Sequence, residues 1–274
     1  MTTVAAALAE ARGLGIERLD AQLLVAHALG QTRTWIIAHD DAALGEQAPA
    51  LSALLERRAS GEPLAYLLGE REFHGLTLRV TPDVLVPRAD TETLVVWALE
   101  LLADLRAPKV IDLGTGSGAI ALAIKQACPQ ADVHASDVSQ AALAGARANG
   151  RALGLDVLWH HGAWWQAAPP GCFDLALSNP PYVAPGDPHL AALHHEPALA
   201  LTPVGDRGDG LDDIERIVGG AAARLHPDGW LLIEHGAEQG DAARSLFERA
   251  GFSAVQTRTD LASRPRVTAG CFTQ

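Results

Sequence analysis

Lys109-Val110-Ile111-Asp112-Leu113-Gly114-Thr115-Gly116-Ser117-Gly118 is the stretch whose reading decides the fold. Lys109–Leu113 is a short apolar run of the kind buried in a parallel sheet. The glycines that follow allow a sharp turn and let a ligand approach the backbone closely, and they open a helix over about 118–127. A second strand, Ala131–Asp137, comes next and ends on an acid. Strand, glycine turn, helix and acid-terminated strand make one βαβ unit of nucleotide-binding type.

The same alternation continues downstream. Strands are expected at Val157–His161, Phe173–Ser178 and Trp230–Glu234, with helices near 139–153, 210–225 and 238–250. That order predicts a doubly wound α/β sheet. Ser253–Arg258 and Arg266–Phe272 have no helix between them, so they are expected to be antiparallel. Upstream, Phe73, Leu76, Leu78 and Val80 fall mostly on alternate positions, and Thr81-Pro82-Asp83 reads as a turn before Val84-Leu85-Val86. Residues 71–88 are therefore expected to form a β-hairpin. Pro87-Arg88-Ala89-Asp90-Thr91-Glu92 then opens a helix, with Asp90 or Thr91 able to cap it.

Residues 1 to about 60 carry helical spacing instead, in Val4, Leu8, Leu19, Leu23, Leu24 and Leu29. Gly30 reads as one stop, and Ala50–Ser60 ends at Gly61 with Arg57 and Arg58 in its last turn. No glycine fingerprint occurs there. The expected organisation is a helical docking domain over 1–70, a β-hairpin linker over 71–88, and a ligand-binding domain over 89–274.

Gly114, Gly116 and Ala119 satisfy the dinucleotide pattern GxGxxG/A, which alone is a weak match. Gly118 as a third glycine, together with Asp112, favours S-adenosylmethionine, whose ammonium needs acidic or carbonyl partners rather than a pyrophosphate site. Asp137 has the spacing of an acid that binds ribose hydroxyls, and its alternative is a turn or helix-cap acid.

After the strand Phe173–Ser178 stands Asn179-Pro180-Pro181-Tyr182. In an open α/β sheet, ligands gather outside the carboxyl ends of the strands. Pro180 and Pro181 lack an N–H, so the segment offers carbonyl acceptors. Asn179 adds an acceptor and an NH₂ donor, and Tyr182 a flat ring. Such a set suits a planar group bearing an NH₂: a carboxamide or an adenine. A plain strand-to-loop turn is the alternative.

The 274 residues carry a formal charge of -12, which argues against broad contact with a nucleic-acid backbone. Lysine occurs only at Lys109 and Lys125. Cys128, Cys172 and Cys271 have no metal spacing and leave an odd count for disulfides, as expected in a reducing cytoplasm. No signal-peptide pattern opens the chain, and no apolar run reaches the roughly 18 residues of a membrane span. His194-His195-Glu196 lacks a third ligand at a known spacing, so no metal is expected. His160-His161 and Trp164-Trp165 read as strand and strand-end residues, and His235, after Glu234, as lining the cleft.

Taken together, these residues resemble the class I S-adenosylmethionine-dependent methyltransferases, and Asn179–Tyr182 narrows the likeness to enzymes that methylate amide or exocyclic amine nitrogens. Arg71-Glu72-Phe73, Pro87–Glu92, Glu196-Pro197, Ala200-Leu201 and Gly208-Asp209-Gly210-Leu211 narrow it again. With the helical N-terminal domain, almost the whole chain resembles the bacterial release factor glutamine methyltransferases, the PrmC/HemK family. The resemblance implies a Rossmann-like sheet with an antiparallel C-terminal strand, and S-adenosylmethionine as cofactor. It implies methylation of N5 of the glutamine in the Gly-Gly-Gln motif of class I peptide chain release factors, by a cytoplasmic monomer.

Residue by residue, the resemblance implies that Asp112, Gly114, Thr115, Gly116, Ser117, Gly118, Asp137, Trp164 and Asn179 meet the cofactor. It implies that Asn179, Pro180, Pro181 and Tyr182 hold the substrate glutamine, with Asn179, Pro180 and Tyr182 catalytic. Family members commonly carry an acid just before the tryptophan on which adenine packs, and here that position is Ala163. Two other functions share parts of the pattern. An N6-adenine nucleic-acid methyltransferase shares Asn179–Tyr182, but this chain has no evident basic target-recognition domain. A nicotinamide-dependent oxidoreductase shares the glycine loop but leaves Asn179–Tyr182 unexplained.

Overall fold

The computed structural model describes residues 2–273, in two compact units that divide between Glu70 and Arg71. The first unit is helical: α1 (Val4–Gly13), α2 (Arg18–Leu29), α3 (Arg33–Ala38), α4 (Ala48–Ala59) and α5 (Leu64–Leu68). Thr3 and Thr32 cap α1 and α3, accepting from the backbone N–H groups of Ala6 (3.3 Å) and Trp35 (3.2 Å). α2 stops where Gly30 turns left-handed, as the sequence predicts. Val4, Leu24, Val25, Ile36, Leu51 and Leu55 form the core. Arg58 bonds Asp20 at 2.8 Å, tying α4 to α2. α3 and α5 are too short to display a helical period, and the sequence reading misses both.

A two-stranded hairpin follows, β1 (Glu70–Phe73), all but its first residue in the second unit, and β2 (Leu76–Arg79). Its turn lies at His74-Gly75, not at the expected Thr81-Pro82-Asp83. The latter is a turn as well, closed by Val84 N–H donating to Thr81 O at 3.1 Å, but Val84–Val86 forms no strand. The reason is a competing partner: Val86 N–H donates to the Glu196 carboxylate at 3.0 Å, and Pro87 has no N–H to offer a ladder.

There follow α6 (Glu92–Leu102), β3 (Lys109–Leu113), α7 (Ala119–Ala127), β4 (Asp132–Asp137), α8 (Gln140–Leu153), β5 (Leu158–His161), α9 (Trp164–Ala167), β6 (Phe173–Ser178), α10 (Asp212–Ala221), β7 (Leu225–Glu234), α11 (Gly240–Arg249), β8 (Ser253–Thr259) and β9 (Pro265–Phe272). The seven-stranded sheet runs β5-β4-β3-β6-β7-β9-β8. β9 sits between β7 and β8 and is antiparallel to both, and the pairs from β5 to β7 are parallel. β7 begins five residues before the expected Trp230, at Leu225 opposite Phe173, across a register shift that Pro227-Asp228-Gly229 hides in the sequence.

Alternation within the strands explains the layers. Val110, Leu175, Leu177 and Leu232 face one core with α6 and α7, while Ile111, Leu113, Ala176, Leu231 and Ile233 face another with α10 and α11. Each fully buried Leu or Ile contributes about 1.5–3 kcal/mol. Helices on both faces are why these strands read as continuous apolar runs. β3 pairs with β4 on one side and with the later β6 on the other, so the strand order reverses there. In such sheets the crevice at that reversal, beyond the carboxyl ends, is the natural ligand site.

Candidate cofactor and acceptor site

A cavity of about 310 Å³ opens at this reversal. Gly114–Ser117 after β3, Asp137 at the end of β4, Gly162–Trp164 after β5, and Asn179 and Pro181 after β6 all line it. The glycine loop is anchored by Gly114 and Thr115 N–H groups, both donating to Ser136 O at 2.9 Å. A Cβ on Gly114 would come within 2.9 Å of the Trp164 ring, so a bare backbone is required there.

Asp137 does the work of a turn acid and still faces the cavity. Its Oδ2 accepts from Gly116 N–H and its Oδ1 from Ser139 N–H, both at 2.8 Å. Each oxygen keeps a further lone pair for a ligand hydroxyl. Burial pushes its pKa up despite these bonds. Ser139, rather than Asp137, caps α8.

Asp112 lies beneath the loop instead of in the cavity wall. It is fully buried, and its Oδ2 accepts from the Thr115 hydroxyl (2.5 Å) and Ala121 N–H (3.3 Å). Its Oδ1 has no partner. Burial drives its pKa up to about 7.

Trp164 adopts a left-handed backbone (φ 45°), and the Asp213 carboxylate takes Arg216 Nη1 at 2.8 Å. Asp213 and Arg216 line the cavity beside Ala163, and sequence reasoning assigned neither to the site. His235 is buried away from the wall: its ring meets Gly236 O and the Thr268 hydroxyl, each at 2.8 Å. The expectation that it lines the cleft is corrected by those bonds.

Gly118, Pro180 and Tyr182 are likewise outside the wall of this cavity. Asn179 Nδ2 donates to Thr91 Oγ1 at 3.2 Å, and Thr91 lines the cavity too. The Tyr182 hydroxyl donates to Glu234 Oε1 at 3.3 Å, and its backbone carbonyl accepts from Gln239 Nε2 at 3.0 Å. Asp206 folds the loop facing it, accepting from Gly208 N–H (2.7 Å) and Gly210 N–H (2.9 Å). Asp206, Asp209 and Asp212 cluster closely enough to hold a cation, but Asp206 serves that backbone and Asp212 pairs with Arg207 at 2.7 Å. Arg88 pairs with the buried Glu196, which also holds Val86 N–H. Thr91 and Glu196 lay within motifs noted in the sequence. Glu234 and Gln239 gave one available signal between them, an acid closing an apolar strand.

A Rossmann-like sheet with β9 reversed, and a glycine loop facing an acid-terminated strand, is the architecture of the S-adenosylmethionine-dependent methyltransferases. Solved structures agree on the fold. A methyltransferase from Pyrococcus furiosus superposes with a TM-score of 0.55 at 17% identity, over 73% of this chain and 90% of that one. A Thermus thermophilus 16S rRNA methyltransferase solved with AdoMet and guanosine gives 0.56 at 21%, over 74% and 49%.

Sequence comparison is more specific. Residues 2–69 match the PrmC N-terminal domain, and residues 90–201 the methyltransferase small domain. The release factor glutamine methyltransferase of Bordetella pertussis is 49% identical over 93% of this chain and 95% of its own length. That of Coxiella burnetii is 42% identical over 91% and 90%. The chain belongs to the release factor glutamine methyltransferase family. It is a methyltransferase that uses S-adenosylmethionine. Among the described residues, no helix is long and apolar enough to cross a membrane.

Proposed function

We propose that this enzyme methylates N5 of the glutamine in the Gly-Gly-Gln motif of class I peptide chain release factors. One observation carries the reading beyond the family name: Asn179 Nδ2 is engaged by Thr91, which leaves Asn179 Oδ1 as the free acceptor at the end of β6. A primary amide presents two N–H groups. Asn179 Oδ1 accepts one and the Pro180 carbonyl, at a residue with no competing N–H, accepts the other. That fixes the rotation of the NH₂ and turns its nitrogen towards the methyl donor. Tyr182, held at both its hydroxyl and its carbonyl, bounds the amide plane.

The cavity residues fit the cofactor. Asp137 has lone pairs for ribose hydroxyls, and Trp164 and Ala163 border the place for adenine. Asp112 stabilises the glycine loop from below, and its unpartnered oxygen favours a cation nearby. When bound, the cofactor supplies an electrophilic methyl on sulfur. The residues contribute orientation and fixed dipoles, the usual source of catalysis when the nucleophile is weak. The N–H proton leaves to water after transfer.

Residues 1–70, which contain no cofactor motif, act as the docking module for the release factor. An acidic chain of charge -12 supports a protein substrate over adenine in nucleic acid. The test is incubation with a purified release factor and isotopically labelled cofactor, followed by peptide mass spectrometry. A label of one methyl on the Gly-Gly-Gln glutamine is expected. A label elsewhere, or none, overturns the proposal.

A further inference from the structure

Asn149 sits on the buried face of α8, among the small residues Ala142, Ala146 and Gly150, and is 3% exposed. Asparagine is a poor helix former and costly to bury without partners. It lines no part of the cavity, yet its side-chain amide is fully used. Oδ1 accepts from Arg79 N–H at 2.9 Å. Nδ2 donates to Arg79 O at 3.0 Å and to Ser117 O at 2.9 Å. Only one orientation of the amide satisfies all three, because an N–H cannot accept and a carbonyl cannot donate.

One side chain thereby grips two segments. Arg79 ends β2 of the hairpin, 70 residues away in sequence, and its exposed side chain takes no part. Ser117 belongs to the glycine loop and lines the cavity. The peptide between Ser117 and Gly118 is held at both ends, its carbonyl by Asn149 and its N–H by Thr115 O at 2.9 Å. Gly118, at φ +86°, lets the loop lie directly on α8: a Cβ there would stand 3.1–3.2 Å from Leu122, Trp159 and Ala146. We infer that Asn149 is a positioning residue for the cofactor: it fixes the Ser117–Gly118 peptide and ties it to the backbone of Arg79, so that glycine loop and hairpin respond to the cofactor together. The inference rests on the cofactor seat proposed above and is independent of the methyl acceptor.

Without the clamp, the loop must be ordered when the cofactor arrives, and that ordering is subtracted from affinity. Fixing the backbone of a single residue corresponds to about five- to thirtyfold in Kd. By linkage the same factor works in reverse. If opening the clamp weakens the cofactor tenfold, bound cofactor makes that opening tenfold rarer. The Arg79 N–H, bonded to Asn149, reaches solvent when the clamp opens, so its hydrogen exchange slows by the same factor.

Titration calorimetry with S-adenosylhomocysteine and hydrogen exchange read by mass spectrometry, both on the full chain, test this. Asn149→Asp keeps the size but sets an oxygen against two carbonyls, and Asn149→Ala removes the clamp. Both are expected to raise Kd at least about fivefold. Arg79→Pro deletes the N–H at the hairpin end, leaves α8 and the loop untouched, and should raise Kd as well. Arg79→Ala keeps that N–H and should bind as wild type does. In the wild type, saturating ligand should slow exchange at residues 78–80 at least about fivefold, and in Asn149→Ala it should not. Unchanged Kd in Asn149→Asp and Arg79→Pro overturns the inference, even with a lowered melting temperature, because that is the signature of a purely structural brace. So does exchange at 78–80 in the wild type that ignores the ligand. If the Asn149 variants do not fold, the Arg79 pair and the wild-type exchange decide alone. Asp137→Ala tests the seat itself and should weaken the ligand. A loss there beside unchanged Asn149 and Arg79 variants overturns this inference only. Unchanged Kd in Asp137→Ala as well overturns the cofactor seat with it.

Discussion

Replacing Gly210 with alanine should dislodge the acceptor segment from a distance. Gly210 has φ +74°, and a Cβ there would stand 2.1 Å from the Tyr182 carbonyl oxygen, 2.8 Å from its carbon and 2.9 Å from Gln239 Nε2. Two of those neighbours are backbone, so they cannot swing aside. Tyr182 must retreat by roughly 1 Å, and Gln239 loses its bond to the carbonyl. The left-handed backbone costs about 1–2 kcal/mol, overpacking about 1–3, and the lost hydrogen bond about 1, together about 3–6 kcal/mol. At about 2–4 °C per kcal/mol for a unit of this size, the second unit should melt roughly 10 °C lower or more. Turnover should fall by about a hundredfold, because a 1 Å misplacement of orienting groups has that effect. Gly186→Ala is the control: its φ is +84°, but nothing lies within 4 Å of the added carbon. It should show the backbone cost alone, about 1–2 kcal/mol. Scanning calorimetry and methylation of intact release factor are the assays. Equal melting temperatures and equal turnover in the two variants would refute the reasoning.

Asn179→Ala should abolish methyl transfer and leave cofactor Kd within about tenfold, as measured by calorimetry; near-wild-type turnover would remove the residue from the mechanism. Deleting residues 1–70 should spare S-adenosylmethionine binding and cripple methylation of intact release factor, and an unchanged kcat/KM would show that docking lies elsewhere. Ala163→Asp should tighten cofactor binding by about 0.5–1.5 kcal/mol, one net hydrogen bond to the adenine amino group, while Trp164→Ala weakens it. Unchanged Kd in both would put adenine in another part of the cavity. Asp112→Asn addresses pH: the wild-type pKa rises from 3.8 to about 7 on folding, so the fold binds the extra proton and stability falls as pH climbs through that window. The variant should therefore melt above wild type near pH 8, with the gap closing by about pH 4, and a gap independent of pH would contradict the assignment.

The parallel strands were legible because each is a run of apolar residues, covered on both faces and separated by helices; Lys109–Leu113 and Phe173–Ser178 have the bounds expected of them. The glycine loop and Asn179–Tyr182 were legible because each is contiguous. The group behind them was not. Thr91, Asp206, Glu234 and Gln239 come from four segments and meet only around Asn179, Tyr182 and Gly210. No spacing rule connects such positions. Local propensity also lost to tertiary demand in two places. Val84–Val86 has a strand composition, but Glu196, 110 residues away in sequence, takes the Val86 N–H. Trp164 is a bulky residue in a left-handed backbone, its ring lying against Gly114.

The placement of β9 inside the sheet leaves β5 and β8 as its rims. A bare rim invites another chain to add a strand, which is how many proteins aggregate. Neither rim here is a good template. β5 has only four residues. β8 is longer, but its register against β9 breaks between Ser253 and Gln256 and again between Arg258 and Thr259, which bends the ribbon. Arg258 also lies over the Trp97 ring at 4.3 Å and pairs with Glu100 at 2.7 Å, setting a charge beside that edge. By carrying its most regular ladder in the interior, the sheet protects concentrated enzyme against edge-to-edge growth.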